Sequence, residues 1–303
     1  MTHDKSAKKK SSGKPPSLRA QLRCPSGVVD VTKFDTHSAP LFPGRGKADA
    51  AQATTAIRSV LDDLQEKLYA NFRGDETPVP GAPPKPKASV LIVLQGMDTA
   101  GKSGIVSHVL GLVDPQGVRI RAFKAPTPAE RRHDFLWRIR QALPEPGMIG
   151  VFDRSHYEDV LIQRVENMAT PDQIEARYDQ INAFERELAA SGTRVIKCYL
   201  AMSKDEQKRR LLARLDDPTK YWKVSLGDLP VRLQWDEYMK AYSVALSRCN
   251  QDCAPWYVIP SDRKWYRNWA VAKILSETLQ DMDLTWPPAT FDVAAEKAKI
   301  QAS

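Results

Sequence analysis

The 303-residue chain predicts an α/β protein in three layers, with a five-stranded parallel sheet between helices and a helical lid. Three observations carry this. Short apolar strands alternate with helical segments, the pattern of a parallel sheet covered on both faces. The strand at 89–94 runs into Gly96-Met-Asp-Thr-Ala-Gly101-Lys102-Ser103, a complete P-loop pattern at the start of a helix. A later strand, 148–152, ends in Asp153, which brings a carboxylate to the same edge. The architecture is therefore P-loop kinase-like, with ligands gathering at the carboxyl ends of the strands.

Taken in order, residues 1–23 read as a disordered basic tail. They carry seven Lys or Arg against Asp4 alone, which is +6 of the total net charge of +8 and leaves about +2 for the rest. Residues 24–87 form an N-terminal extension. In it Ile57, Val60, Leu61, Leu64, Leu68 and Phe72 recur at helical spacing and predict a helix over about 50–73. Its apolar face fits either the chain's own core or another subunit. The Pro-rich stretch 77–87 is a linker, since neither a helix nor a central strand accepts that composition.

The core spans 88–283, with strands at 89–94, 119–123, 148–152, 194–200 and 256–259. Its helices are expected near 101–113, 128–142, 157–168, 171–191, 203–215, 229–250 and 263–282, with a lid at about 214–230. A C-terminal tail, 284–303, ends in a fraying helix.

Composition excludes several classes. No run of eighteen apolar residues occurs, so no membrane-spanning helix is expected. The charged N-terminus lacks the apolar stretch of a secretory signal. Cys24, Cys198, Cys249 and Cys253 lack the partners of a zinc site, and reduced thiols in a cytoplasmic protein are expected. The near-neutral body argues against specific nucleic-acid binding.

The P-loop residues have direct chemistry. Gly96 and Gly101 let the backbone turn so that its N–H groups, with Ala100 in the same loop, converge on phosphate oxygens at a helix N-terminus. Lys102 supplies a charge to the terminal phosphates and Ser103 a hydroxyl for Mg²⁺. Asp98 is unusual in an anion cradle. Its carboxylate becomes useful if a divalent cation lies between it and the phosphates, or if it orients an acceptor phosphate through that cation. Asp153 fits a metal-holding carboxylate or a helix N-cap. Arg154 stands where a guanidinium can clamp a transferring phosphoryl group. His156 has no partner at ligand spacing and reads as a supporting residue rather than a base.

Two further clusters are basic. Residues 204–223 hold seven basic and four acidic side chains, among them Lys204, Lys208, Arg209, Arg210, Arg214, Lys220 and Lys223, in the order expected of a lid over phosphates. Over 126–140, Arg131, Arg132 and Arg138 are candidates for the substrate groove, whereas Phe135, Leu136 and Ile139 read as core.

Five blocks in order resemble the second family of polyphosphate kinases, the P-loop polyphosphate:nucleotide phosphotransferases. They are Gln95-Gly-Met-Asp98-Thr-Ala-Gly-Lys102-Ser, His133-Asp-Phe-Leu-Trp-Arg138, Gly150-Val-Phe-Asp153-Arg154-Ser-His-Tyr-Glu-Asp-Val160, Asp217-Pro-Thr-Lys-Tyr-Trp-Lys223 and Trp256-Tyr-Val-Ile-Pro-Ser-Asp-Arg-Lys-Trp-Tyr-Arg267. The wording is similar to the class acting on both AMP and ADP. Ser103, Tyr221 and Val224 depart from it without removing a charge, which bears on acceptor preference.

The resemblance implies Mg²⁺, with Mn²⁺ as a substitute, organised by Asp98 and Asp153. It implies that Lys102, Arg154 and Arg214 steady the transferring group. Gly96, Ala100, Gly101, Ser103, Tyr157, Glu158, Lys220 and Lys223 would join Lys102 and Arg154 in binding nucleotide and phosphate. The expected reaction moves phosphoryl groups reversibly between inorganic polyphosphate and AMP, ADP or ATP, in a cytoplasmic homo-oligomer without a membrane partner. The alternative is an ATP-dependent nucleotide or small-molecule kinase using the same loop.

Overall fold

A computed structural model describes residues 17–72 and 88–303. The linker expected at 77–87 and residues 1–16 of the expected tail lie outside the described residues. The elements run α1 (Leu18–Leu22), α2 (Lys47–Ala70), β1 (Ser89–Gln95), α3 (Lys102–Val109), β2 (Val118–Ala122), α4 (Trp137–Arg140), β3 (Ile149–Asp153), α5 (Ile162–Val165), α6 (Pro171–Ala190), β4 (Thr193–Ala201), α7 (Lys204–Leu215), α8 (Asp228–Leu233), α9 (Trp235–Arg248), β5 (Trp256–Pro260), α10 (Lys264–Gln280) and α11 (Val293–Ala302).

The five strands form one parallel sheet in the order β2-β3-β1-β4-β5. All seven residues of β1 are buried, as a central strand covered on both faces requires. Register sets the site: Leu94 pairs with Asp153 and Gln95 with Tyr199, so the end of β3 stands level with the start of the P-loop.

Helices α2, α3 and α10 pack together over one face. The apolar stripe of α2 therefore meets its own domain, with Leu61 and Leu68 fully buried. Helices α6 and α9 cover the other face. Glu185 of α6 and the Cys249 carbonyl after α9 both accept hydrogen bonds from Lys197 of β4, and Tyr242 of α9 packs on Tyr199.

Several expectations are corrected. Residues 17–23 are not part of a solvated arm. Leu18 and Leu22 are buried, and the Ser17 hydroxyl with the Leu18 and Arg19 amides donates to the Glu277 carboxylate. The helix expected over 128–142 is instead a short 3-10 turn, Glu130–Arg132, followed by α4. Side chains compete with the backbone there: Glu130 accepts from the Thr127 amide and Asp134 from the Leu136 amide. The expected helix at 157–168 is a 3-10 turn, His156–Asp159, and then α5. The expected helix at 229–250 divides into α8 and α9 at Gln234. No helix among the described residues is long and apolar enough to cross a membrane.

Candidate active site

After β1 the chain turns through Gly96, Thr99 and Gly101, all at positive φ, into α3. Glycine is required at Gly101: its φ is +113°, and a Cβ there would stand 1.7 Å from Arg267 Nη1. The N-cap of α3 has no side-chain acceptor, which leaves the leading N–H groups of the helix for a ligand. Lys102 is buried and folds back to donate to the Gly96 carbonyl at 2.7 Å. Burial and the Arg154 charge lower the pKa of its ammonium, while Asp98, Asp153 and Glu158 act in the opposite direction.

Arg154 follows β3 in the left-handed region, φ 65°, and its amide donates to the Leu94 carbonyl. Its guanidinium then bridges the two halves of the site, reaching Asp98 at 2.7 Å and Glu158 at 3.3 Å. Burial alone would lower its pKa, but the Glu158 and Asp98 carboxylates outweigh burial and raise it. Asp153 makes no side-chain hydrogen bond or ion pair among the described residues and faces the same cleft.

A cleft of about 950 Å³ runs along this edge. Gly96, Asp98, Gly101, Lys102, Ser103, Asp153, Arg154, Glu158, Arg214, Lys220 and Lys223 all line it, so most of the expected site residues come together. Arg214 donates to the Lys223 carbonyl at 3.0 Å and approaches Asp228 at 3.8 Å. Lys220 pairs with Asp217, and the Lys223 ammonium lies over the Trp222 ring.

Among the described residues no cluster of three or more His, Cys, Asp or Glu forms a metal cage. The donors present nevertheless suit Mg²⁺, or Mn²⁺ in its place. Asp153 is a carboxylate with no side-chain partner among the described residues, and Asp98 and Ser103 line the same cleft. Mg²⁺ commonly takes one or two protein carboxylates and completes its shell with water and substrate phosphates.

Some expected members fall elsewhere. Tyr157 is fully buried and points away from the cleft, its hydroxyl bonded to Glu185 and Lys197. Ala100 is also buried, and its amide donates to the Met97 carbonyl rather than being free for phosphate. Arg131 and Arg132 are exposed away from the cleft, while Arg138 is buried and donates to the Lys124 carbonyl. Lys204 and Lys208 do not line it. His156 is buried against Glu185, in keeping with a supporting role.

The cleft also holds residues that the sequence reading did not single out as site members. Lys264, Arg267 and Asn268 of α10 enter beside Arg209 and Arg210 of α7. Arg267 donates to the Ala100 carbonyl at 2.8 Å. Burial and Arg210 lower its pKa to about 9. At the other side stand Leu161, Ile162, Val231, Tyr238 and Tyr242. Lys264 and Arg267 were visible only as members of the fifth block; the others carry no local signal, because distant elements bring them together.

Residues 83–287 match the family model described as Polyphosphate kinase 2. An "AMP/ADP-polyphosphate phosphotransferase" of Meiothermus ruber is 42% identical over 277 residues, covering 91% of this chain and 97% of the relative. An "ADP-polyphosphate phosphotransferase" of Rhodopseudomonas palustris is 38% identical over 278 residues, covering 86% and 89%. The crystal structure of Polyphosphate Kinase 2 from Arthrobacter aurescens TC1 is similar with a TM-score of 0.88 and 49% identity, over 95% of this chain and 98% of that one.

Proposed function

The chain belongs to the polyphosphate kinase 2 family, and on that premise we propose that it phosphorylates both AMP and ADP from inorganic polyphosphate in the cleft at the carboxyl edge of the sheet. It is an enzyme, and its reaction is phosphoryl transfer between polyphosphate and nucleotides. The double acceptor range is supported by the Meiothermus ruber relative, whose name carries both nucleotides.

The observation that carries the reading is the unlike chemistry of the two ends of one cleft. Over the α3 and α10 layer it is basic. Lys264 makes no hydrogen bond among the described residues, and its pKa is lowered by burial and by Arg210, Arg209 and Arg267. Such a field is relieved by a polyanion. Toward the turn before α5 and toward α5, α8 and α9 the walls are Leu161, Ile162, Val231, Tyr238 and Tyr242, with Glu158 and Asp228 as acceptors. That end suits a nucleoside's flat apolar base and its hydroxyl donors. Polyphosphate therefore enters on the α10 side and the acceptor nucleotide on the α9 side.

Between the ends stand Lys102, Asp98, Asp153 and Arg154. An acceptor phosphate oxygen attacks the terminal phosphorus of polyphosphate in line; one P–O bond forms as the bond to the shortened chain breaks, without a covalent enzyme intermediate. Lys102 gives up its bond to the Gly96 carbonyl for a phosphate oxygen. Arg154 donates to the oxygens of the transferring group while Asp98 and Glu158 hold its plane. Asp153, Asp98 and Ser103 would hold Mg²⁺, which neutralises charge on the phosphates. The segment 214–230 acts as the lid, with Arg214, Lys220 and Lys223 on its cleft side. The four unpaired cysteines suit a reducing, cytoplasmic compartment.

Two substitutions test the orientation. Lys264→Ala should raise KM for polyphosphate about tenfold and leave KM for the nucleotide alone, the size of one lost phosphate contact. Ile162→Asp should do the reverse. Exchange of these two effects would overturn the orientation.

A further inference from the structure

We propose that the buried group Lys197, Glu185, Tyr157 and His156, together with Ser155, forms the positioning device that holds Arg154 and Glu158 for phosphoryl transfer. The inference rests on Arg154 acting in the reaction, as proposed above. None of these five residues lines the cleft, so each acts through the loop that carries the clamp.

The loop has to be held. Arg154 adopts a left-handed conformation at φ 65°, which a side chain of this size adopts only when its surroundings enforce it. Its neighbours supply the enforcement. The Ser155 hydroxyl accepts from Gln95 Nε2 at 3.1 Å and from the Tyr157 amide at 3.2 Å, tying the loop to the end of β1. The Tyr157 hydroxyl donates to Glu185 Oε1 at 2.8 Å and accepts from Lys197 Nζ at 2.9 Å. Lys197 also donates to Glu185 Oε2 and to the Cys249 carbonyl, each at 2.6 Å. His156 Nε2 lies 3.4 Å from Glu185 Oε1. Elements β4 and α6, the end of α9 and the loop thus meet at one point.

Stability alone gives a weak reason for this arrangement. Lys197 and Glu185 are both 0% exposed, and a well-packed apolar pair in such a place is often as stable or more so. Fixed direction is what a hydrogen-bonded ionic group supplies and an apolar pair does not. The ring of Tyr157 stacks edge-on against Trp256 at 4.7 Å, and the Lys197 ammonium lies 5.1 Å over the same indole. Burial and the Glu185 charge push the Tyr157 hydroxyl pKa well up, so it remains a donor across the working pH range. Arg154 lies three positions before Tyr157 and Glu158 one after it. A displacement of the ring therefore moves both partners of the clamp, and misplacement by an ångström is costly to a reaction that depends on alignment.

The test is a double-mutant cycle of Tyr157→Phe with Arg154→Ala, reading kcat, KM for both substrates and Tm. Tyr157→Phe keeps the ring and removes one hydroxyl. The expected result is a fall in kcat of about tenfold with KM within about twofold. In the Arg154→Ala background the same change should alter kcat by less than about twofold. Leu188→Ala, a core change on α6 outside the network, should lower Tm at least as far and leave kcat intact.

A lowered Tm with unchanged kcat in Tyr157→Phe, or effects that multiply fully with Arg154→Ala, would overturn the positioning role while leaving the clamp reading in place. An Arg154→Ala enzyme with full kcat would overturn both. Should Tyr157→Phe be insoluble, Ser155→Ala cuts the link to Gln95 and carries the same expectations.

Discussion

Arg210 lines the cleft and carries a positive charge, yet its hydrogen bonds assign it to the architecture rather than to substrate. Its Nε donates to Glu206 at 2.6 Å. Nη1 donates to the Thr99 and Ala100 carbonyls at 2.9 and 3.2 Å, and Nη2 to the Ser261 and Asp262 carbonyls at 2.6 and 3.1 Å. A guanidinium has five N–H donors, and all are engaged. The residue ties the P-loop to the segment after β5. Arg210→Met would keep the stem and remove every bond. Glu206 would retain Arg209 and the Ala100 carbonyl would retain Arg267, so the main losses fall on the Thr99, Ser261 and Asp262 carbonyls. Each buried orphan costs about 1–3 kcal/mol, and incomplete additivity brings the total to about 3–5 kcal/mol. For a protein of this size that lowers Tm by roughly 5–8 °C. Thermal unfolding by circular dichroism, beside KM for polyphosphate well below the new Tm, is the assay. An unchanged Tm with KM raised tenfold or more (about 1.4 kcal/mol) would refute the reasoning and make Arg210 a substrate ligand.

Two other outcomes are expected. Gly101→Ala forces a side chain into φ +113° and against Arg267; it should cost about 3 kcal/mol or more and raise KM for polyphosphate, read by thermal melts and initial rates. For Asp159, burial lifts the carboxyl pKa to about 6, against the opposing pull of Arg177 and Arg138. The folded chain therefore holds a proton between about pH 4 and pH 6 that the unfolded chain has released, so stability falls as pH rises through that window. The loss above it is of order 3 kcal/mol. Asp159→Asn should raise Tm at pH 8 and not at pH 4, and an equal gain at both would contradict the sign.

The strands were legible because buried parallel strands are continuous apolar runs, and the residues of the P-loop and of the end of β3 because phosphate chemistry constrains them locally. What stayed hidden depended on partners far along the chain. Leu18 and Leu22 are two apolar residues within a basic stretch, and only α10 and β5 give them a place to bury. The 128–142 region has helical apolar spacing, but Glu130 and Asp134 bond to nearby amides and break it. Tyr157 sits in a 3-10 turn, where no periodicity tells inside from outside, so its place beside site residues suggested a ligand contact that the buried Glu185 and Lys197 take instead. Four donors of Arg210 and the Nη1 of Arg267 go to loop carbonyls, which no side-chain pattern announces.

The most direct measurement is phosphoryl transfer with long-chain polyphosphate and Mg²⁺, offering AMP and ADP separately, for the unaltered enzyme and for Lys102→Ala. The account predicts ATP from ADP, and ADP followed by ATP from AMP. It also predicts rates reduced at least about a thousandfold in the variant, as loss of a central phosphate-binding charge implies. Transfer to only one of the two nucleotides would contradict the proposed acceptor range, and undiminished transfer by Lys102→Ala would contradict the site.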